Sequence, residues 1–205
     1  MTSQPNTLEA VRLRLNGVTP LLQHSARLSD PLNPTAKAIK EISGKRKKTD
    51  ADLLQMAFLE WRGSLYVDKD ENVILPAESI KAALIGGAKK EKSGPQARGG
   101  TFVRGSPVLE HNASGNNLDE LWGDGDTQNV HRVSVKIASS RVMRTRPQFH
   151  DWSAEVDIHY DTSQANASDI VRWLETAGRI IGIGDWRPEK SGDFGRFTVE
   201  EVSAH

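Results

Sequence analysis

The chain alternates apolar and polar residues at three places, and each alternation predicts a half-buried β-strand. Near the start, Val11, Leu13 and Leu15 alternate with basic and polar residues, and the same period of two returns over residues 133–137 and 156–160. Successive side chains of a strand point to opposite faces of a sheet, so each of these strands has one apolar and one polar face. The polar face of the first strand is expected to be basic.

Two shorter patterns predict further strands. Residues 65–67 and 73–75 are apolar and flank a polar turn, which is typical of a β-hairpin that ends at Pro76. A last strand is expected over residues 196–202.

Three segments place a capping residue before apolar residues that are spaced as on one face of a helix. The expected helices are residues 51–61 after Thr49 or Asp50, residues 80–90 after Ser79, and residues 169–179 after Asn166 or Ser168. In the helix 51–61, the expected apolar stripe consists of Leu53, Leu54, Ala57 and Phe58. Gly182 is expected to end the helix that begins at residue 169.

The remaining segments are rich in Gly, Asn, Asp, Ser or Lys, and we interpret them as loops and partly mobile insertions. The insertions are expected at about residues 24–62 and about 95–132 of a single domain, residues 1–205. The order of elements gives two β-rich halves with a helix behind each. This order predicts an α+β fold in which one antiparallel sheet has helices on one face, the split βαβ arrangement.

Composition narrows the class of protein. Hydrophobic residues make up 37% and charged residues 26% of 205 residues, and no apolar run approaches the roughly 20 residues of a membrane span. The first ten residues lack the basic start and apolar core of a signal peptide, so we expect a cytoplasmic protein. Cysteine is absent, which excludes disulfides, thiolate metal sites and cysteine nucleophiles.

The formal net charge is zero, but the charges are not evenly distributed. Basic residues cluster at residues 45–48, 89–92 and 141–146, whereas acidic residues concentrate elsewhere. Such separated patches can bind a polyanion on one face or stack copies of the chain head to tail. Each cluster taken alone is also compatible with a solvated surface of mixed charge.

Signatures of enzymes are scarce. The six histidines show no HxxxH or HxH spacing, and the chain has neither a P-loop nor a GxSxG elbow. Gly182 and Gly184 follow a predicted helix and precede a strand, the reverse of the order that a dinucleotide-binding loop requires. We therefore expect no metal, no cofactor and no catalytic residues.

A glycine-rich loop over residues 182–195 is a candidate binding site. Glycines allow close approach of the backbone to a ligand and expose amide donors to phosphate oxygens. Arg187, Lys190 and Arg196 add positive charge, and Trp186 or Phe194 offers a stacking surface. The alternative is a structural loop with Trp186 packed in the core.

Residues 74–84, ILPAESIKAAL, are typical of a strand that ends at a proline and is followed by a serine and a lysine-bearing helix. This segment resembles a signature of the CRISPR-associated RAMP superfamily, although Ala77 and Glu78 replace the usual Gly and Ser. Residues 17–22, GVTPLL, resemble the turn after its first strand, and the glycine loop with its closing GRF resembles the superfamily's C-terminal glycine loop. The resemblance spans residues 10–30, 73–90 and 133–202, in the superfamily's order.

The resemblance implies an RRM-like (ferredoxin-like) palm with a thumb hairpin, placed in one of the insertions or in the basic segment 139–150. It implies a backbone subunit that oligomerises along a guide RNA in a ribonucleoprotein of antiviral defence, with open-ended contacts between copies and to other effector subunits. Lysines, arginines and a few aromatic residues suffice for sequence-independent binding of a single strand. The RNA-binding candidates are Arg12, Arg14, Lys45, Arg46, Lys47, Lys48, Lys81, Lys89, Lys90, Arg141, Arg144, Arg146, Trp186, Arg187, Lys190 and Arg196, with Phe149 and Trp152 as further stacking candidates.

Three alternatives remain open. The chain could bind or anneal single-stranded DNA in a phage, because phosphate and stacking contacts serve both polymers. It could cleave RNA through Asp30 or with His24 as a general base. It could also be a protein scaffold that binds no nucleic acid.

Overall fold

The structure is a computed structural model that describes residues 7–112, 117–137 and 139–202. Residues 1–6, which are part of the N-terminal segment that lacks signal-peptide features, lie outside the described residues. The last histidine, His205, also lies outside them. The described part of the chain contains six α-helices and eight strands, and the strands form two antiparallel sheets. The helices are α1 (Pro34–Ser43), α2 (Asp50–Ser64), α3 (Ala77–Lys90), α4 (Gly94–Gly100), α5 (Leu118–Trp122) and α6 (Ala167–Ile180). The strands are β1 (Leu8–Gly17), β2 (Leu21–Leu22), β3 (Thr101–Val103), β4 (Glu110–His111), β5 (Val130–Ile137), β6 (Ser140–Phe149), β7 (Trp152–Asp161) and β8 (Phe197–Glu201).

The chain folds as two compact units. The first comprises Met1–Leu21, Ile74–His111 and Asp151–His205, and the second comprises Leu22–Val73 and Asn112–His150. The expected insertion at residues 24–62 falls inside the second unit. The one expected at residues 95–132 is divided between the two units.

The first unit is built on a sheet with the strand order β3-β7-β1-β8, in which β4 also pairs with β7. Each of these pairs is antiparallel. The helix α3 lies between β1 and β3 in the chain, and α6 joins β7 to β8. Because β1 and β7 alternate apolar and polar residues, Leu13, Leu15 and Ile158 are fully buried on one face of this sheet.

The helices α3 and α6 pack against each other and complete the core of the first unit. Ile80 and Leu84 of α3, and Trp173 and Leu174 of α6, are almost entirely buried. Gly87 of α3 allows this close approach, because a Cβ atom there would lie 1.9 Å from the carbonyl oxygen of Trp173. Burial of each such side chain contributes about 1.5–3 kcal/mol to folding.

The second unit combines a β-hairpin with helices. β5 and β6 pair along their length, and β2, which ends at Leu22, adds to β6. The helix α2 packs on β6 and on α1. The core of the second unit contains an aromatic cluster, in which the ring centroids of Phe58, Trp61 and Trp122 are 5.3–6.5 Å apart. The indole N–H of Trp61 donates to the carbonyl oxygen of Asn129 at 2.9 Å.

Several expectations about single elements were correct. Thr49 caps α2, Asn166 caps α6, and each cap forms a reciprocal capping box with an aspartate three residues later. Gly182 follows the last turn of α6 with a φ of +73°, and its N–H donates to the carbonyl oxygen of Ala177 at 2.8 Å. The strands expected over residues 11–15, 133–137, 156–160 and 196–202 are present.

Other expectations were wrong. The loop that was expected after the first strand contains α1, whose N-cap is Asn33 and whose first residue is Pro34. The predicted cap Ser79 lies inside α3, because Ser106 Oγ accepts the N–H of Ala77 at 3.0 Å and the helix begins earlier. In α2, Leu53 and Leu54 of the expected stripe are 42% and 44% exposed, whereas Ala57 of that stripe is buried together with Glu60 and Trp61.

Two further differences concern strands. The hairpin expected over residues 65–75 is reduced to a single bridge between Val67 and Val73 around a turn. The basic segment 139–150 contains the strand β6, and the described strands form two sheets rather than one. None of the helices that the structure describes is long and apolar enough to cross a membrane.

Candidate nucleic-acid interface

Arg12 and Arg14 lie on the polar face of β1, and both are paired with carboxylates. Arg12 Nε donates to Asp157 Oδ1 at 2.7 Å, and this bond holds the pKa of Asp157 below its usual range. Arg14 forms ion pairs with Glu110 and, at 3.3 Å, with Glu155. Three carboxylates thus offset two guanidinium groups, so this face presents no excess positive charge to a polyanion.

An aromatic pair that was not predicted lies on the same face. Phe102 of β3 is opposite His159 of β7 in the register, and their rings stack with centroids 4.7 Å apart and planes 10° apart. Phe102 is 47% exposed. A ring pair on adjacent strands of an antiparallel sheet can stack an unpaired base.

The glycine loop, residues 182–195, folds back on itself. The N–H of Ile183 donates to the carbonyl oxygen of Gly195 at 2.9 Å, and Gly195 has a φ of +69°. A Cβ atom at Gly195 would lie 1.8 Å from the carbonyl oxygen of Ile183. At this position the glycine therefore makes room for the loop's own backbone.

Trp186 of the glycine loop is not in the core. Its side chain is 43% exposed, and its ring stacks on Phe194 with centroids 5.8 Å apart and planes 24° apart. The loop thus holds the ring of Trp186 at the surface, backed by Phe194. A base that stacks on an aromatic side chain needs an exposed ring of this kind.

The three cations predicted in or beside the glycine loop differ in their surroundings. Arg187 pairs with Glu189 at 2.7 Å, and Arg196 pairs with Asp193 at 3.0 Å. Lys190 is exposed, and no ion pair joins it to another described residue. Lys190 is therefore the cation of this loop best able to contact a phosphate.

Lys81 of α3 points into the protein. Its Nζ donates to the carbonyl oxygens of Ala97 and Thr101, and to Thr101 Oγ1 at 2.5 Å. Burial lowers the pKa of Lys81 to about 8. This ammonium joins α3 to the start of β3, and its donors are committed to the protein.

Exposed cations surround the turn between α3 and α4. Lys89, Lys92 and Arg98 line an open depression of about 510 Å³ together with glycines of α4. Lys90 is also exposed. Within the described part of the chain, none of these four side chains forms an ion pair. We call Lys89, Lys92 and Arg98 the cationic ledge.

The β5–β6 hairpin carries a second group of exposed cations. Arg132, Lys136 and Arg141 are exposed, and Lys136 is directly opposite Arg141 in the register. Between residues 130 and 144, no side chain that the structure describes is buried. We call residues 130–144 the basic arm.

Arg144 and Arg146 lie where the basic arm joins the rest of its unit. Arg144 Nη1 donates to Glu60 Oε1 at 2.6 Å, and the N–H of Thr145 donates to Glu60 Oε2 at 3.1 Å. Arg146 is half-buried and donates to the carbonyl oxygen of Thr145. The carboxylate of Glu60 is 9% exposed, so Arg144 balances a buried charge.

The predicted cluster at residues 45–48 precedes α2. Lys45 Nζ pairs with Asp52 Oδ1 at 2.5 Å, and Lys48 Nζ donates to the carbonyl oxygen of Lys45. Arg46 and Lys47 are exposed, and neither forms an ion pair with a described residue.

The remaining candidates have other surroundings. Phe149 and Trp152 are buried in the core and offer no stacking surface. Asp30 Oδ1 accepts the N–H of Leu32 at 2.9 Å, which is a turn contact. His24 lines a cavity of about 270 Å³ in the second unit. No group of three His, Asp or Glu side chains among the described residues is placed to hold a metal ion.

Sequence reasoning missed Phe102, His159 and Arg98 as parts of surface clusters. Phe102 and His159 are 57 positions apart in the sequence, and only the pairing of β3 with β7 brings them together. Lys92 was predicted in the basic cluster 89–92, and the turn between α3 and α4 places Arg98 beside the same depression.

No model of a known protein family matches this chain, and no curated protein is significantly similar to it in sequence.

Proposed function

We propose that this chain is an RNA-binding backbone subunit that oligomerises along a guide RNA in a CRISPR-type ribonucleoprotein of the cytoplasm. The proposal includes an RRM-like (ferredoxin-like) fold for the first unit. Its strand order, β8-β1-β7-β3, with helices after β1 and after β7, supports that fold because a split βαβ unit repeated twice has this order.

The observation that supports the proposal most directly is the presence of two basic surfaces whose exposed cations form no ion pair with other described residues. The cationic ledge and the basic arm hold six exposed lysines and arginines that form no ion pair with other described residues. A cation that is paired with a carboxylate must break that pair to bind a phosphate. The six cations of the ledge and the arm need only release water and counterions when a phosphate binds. A single strand contacted mainly through its phosphates is bound without regard to its sequence.

The polar face of the first sheet has a different role in this proposal. Its arginines are neutralised by carboxylates, so a strand cannot be held there by charge. The exposed stack of Phe102 on His159 on this face can instead receive a base, and so can the stack of Trp186 on Phe194 in the glycine loop. Affinity then comes from the ledge and the arm, and the rings add contacts that tolerate any base.

The test is the salt dependence of binding to a fluorescent single-stranded RNA, measured by anisotropy. Six phosphate contacts predict that log K falls with log salt with a slope of about −4. Replacing Arg132, Lys136 and Arg141 with Gln should reduce the magnitude of the slope by about 2. The protein should fold normally, since these side chains are exposed.

A triple variant of Lys37, Lys40 and Lys69 to Gln removes the same charge from exposed positions outside both surfaces and serves as the control. Equal effects of the two triple variants would contradict a role for the basic arm. Salt-independent binding, or none, would overturn the proposal in favour of a protein scaffold. Parallel titrations with DNA of the same sequence distinguish RNA from DNA through the 2′-hydroxyl.

A further inference from the structure

The depression beside the cationic ledge is large enough to hold a nucleotide. Its volume is about 510 Å³, and ligand sites in proteins commonly have volumes of about 300–1,000 Å³. The depression is lined by Lys89, Lys92, Gly94, Pro95, Arg98 and Gly99. Every charged side chain in this lining is therefore positive.

The three cations come from three consecutive parts of the chain. Lys89 lies in the last turn of α3, Lys92 lies in the turn that follows, and Arg98 lies in α4. All three are exposed, and none forms an ion pair with another described residue. The neighbouring carboxylate of Glu91 pairs instead with Arg172 of α6 at 2.6 Å. The positive charge at the depression is thus left without a carboxylate partner.

Lys92 occupies a backbone position that favours glycine. Its φ is +63°, its N–H donates to the carbonyl oxygen of Lys89 at 3.2 Å, and the N–H of Ser93 donates to that of Ala88 at 2.9 Å. These two bonds form the Schellman motif at the end of a helix, whose left-handed residue is most often glycine because a Cβ atom is disfavoured there. Backbone strain of this kind is concentrated at functional sites. We therefore expect the side chain of Lys92 to do more than end α3.

The other side of the depression is uncharged and open. Gly94 and Gly99 place no side chain in it, and a Cβ atom at Gly99 would have no heavy atom within 4 Å. Pro95 is exposed and adds an uncharged ring. A cationic side next to an open, uncharged side leaves room for a phosphate that is joined to a ribose and a base.

The number of cations favours a terminal phosphate over an internal one. A phosphomonoester carries a charge of about −1.5 to −2 at pH 7 and offers three acceptor oxygens. An internal phosphodiester carries one charge and has one free oxygen fewer. Three side chains that converge on one depression match the charge and the oxygens of the terminal group more closely.

We propose that this depression binds a nucleotide by its terminal phosphate. The phosphate lies among Lys89, Lys92 and Arg98, and the rest of the nucleotide lies over the glycines and Pro95. This inference rests on the proposed function and deepens it, because the ledge then prefers the phosphorylated end of a strand to its internal phosphates.

The test is the affinity for an internally labelled single-stranded RNA of one sequence, prepared with a 5′-phosphate, with a 3′-phosphate or with hydroxyls at both ends. Fluorescence anisotropy measures the ratio of affinities. At least one phosphorylated form should bind about tenfold more tightly than the hydroxyl form, the effect of one additional charge-assisted hydrogen bond.

Isothermal titration with AMP and with 3′-AMP identifies the source of the phosphate. Binding of either mononucleotide shows that the depression takes a diffusible nucleotide. Binding of phosphorylated RNA alone assigns the depression to the end of a strand.

Lys92→Gly separates binding from folding. It removes the ammonium and relieves the left-handed backbone, so the variant should melt at the same temperature as the parent chain or higher, and yet lose the preference for a phosphorylated end. Arg98→Gln should lose the preference as well. Lys90→Gln is the matched control, because Lys90 is exposed and adjacent but does not line the depression. It should keep the ratio of affinities.

The inference is overturned if the hydroxyl form binds as tightly as both phosphorylated forms and neither mononucleotide binds, or if Lys92→Gly and Arg98→Gln keep the preference. Salt-dependent binding of the hydroxyl form would leave the proposed function standing in that case. Absence of all RNA binding would overturn the proposed function, and the mononucleotide titrations alone would then decide whether the depression binds a nucleotide. Neutralising Arg132, Lys136 and Arg141 of the basic arm should weaken all three RNAs alike.

Discussion

Lys81 belongs to the segment that resembles a nucleic-acid-binding superfamily, yet its ammonium donates to Ala97 and Thr101 of its own unit. A lysine whose donors are committed to backbone carbonyls contributes to stability by satisfying buried acceptors. Contact with a phosphate requires those hydrogen bonds to break. The geometry at this residue therefore favours a structural role over the predicted contact with RNA.

Replacing Lys81 with Met should lower the free energy of unfolding by about 1–3 kcal/mol, because the carbonyl acceptors lose their donor. Urea denaturation followed by circular dichroism measures this. Lys89→Met, on an exposed position of the same helix, should change stability by no more than about 0.5 kcal/mol. If Lys81→Met were fully stable but bound RNA poorly, the sequence-based prediction would hold and the structural role would be wrong.

Trp186 is the residue at which a stacking contact can be tested most directly. Trp186→Ala should weaken binding to single-stranded RNA by about 5- to 150-fold, the range that corresponds to about 1–3 kcal/mol for one stacked base. Trp186→Phe keeps an aromatic face and should retain most of the affinity. Fluorescence anisotropy measures both, and equal losses in the two variants would argue that the indole acts through the loop's structure instead.

At the scale of elements, the sequence predicted the start of a helix correctly where residues next to that start form its capping interactions. α2 and α6 begin where Thr49 and Asn166 supply both halves of a capping box. The start of α3 was missed because its N-cap residue is Pro76, which has no capping side chain, and the hydroxyl that accepts the N–H of Ala77 belongs to Ser106, which is distant in sequence. α1 was missed because prolines were interpreted as loop residues, although Pro34 at the first helical position favours a helix.

The capping box of α2 supplies a pH-dependent prediction. Asp52 Oδ2 accepts the N–H of Thr49 at 3.0 Å, and the hydrogen bond from Lys45 is the main reason that the pKa of Asp52 is lowered to about 2. Asp52→Ala should lower the free energy of unfolding at pH 7, because the N–H of Thr49 loses its acceptor and Lys45 loses its partner. Urea denaturation at several pH values measures the difference from the parent chain.

The sign of the pH effect follows from the direction of the shift. The carboxylate stabilises the folded state above the unfolded pKa of 3.8, and this stabilisation is lost as pH falls from about 4 toward the folded value of about 2. The two chains should therefore converge in stability over that interval. Glu41→Ala, at an exposed position of α1, is the control, and a difference that stays constant down to pH 2 would contradict the role of the charge.

At the scale of the molecule, sequence order indicated the α+β class, but it could not show how pairing assembles the surfaces. The clusters at residues 45–48, 89–92 and 141–146 were visible as basic residues. Which of them are neutralised depends on partners remote in sequence, as Glu60 is from Arg144. Strand pairing likewise creates the stack of Phe102 on His159, which has no local signal.

A subunit that coats a strand through open-ended contacts makes a prediction about whole assemblies. Since each copy covers a fixed number of nucleotides, the mass of complexes on RNA of increasing length should rise in equal steps, one chain at a time. Native mass spectrometry at low salt resolves these steps, and the step length gives the footprint. A closed oligomer would instead hold the same number of chains on every RNA long enough to bind it. That result would exclude a filament while leaving single-strand binding by the ledge and the arm intact, because those surfaces belong to each chain separately.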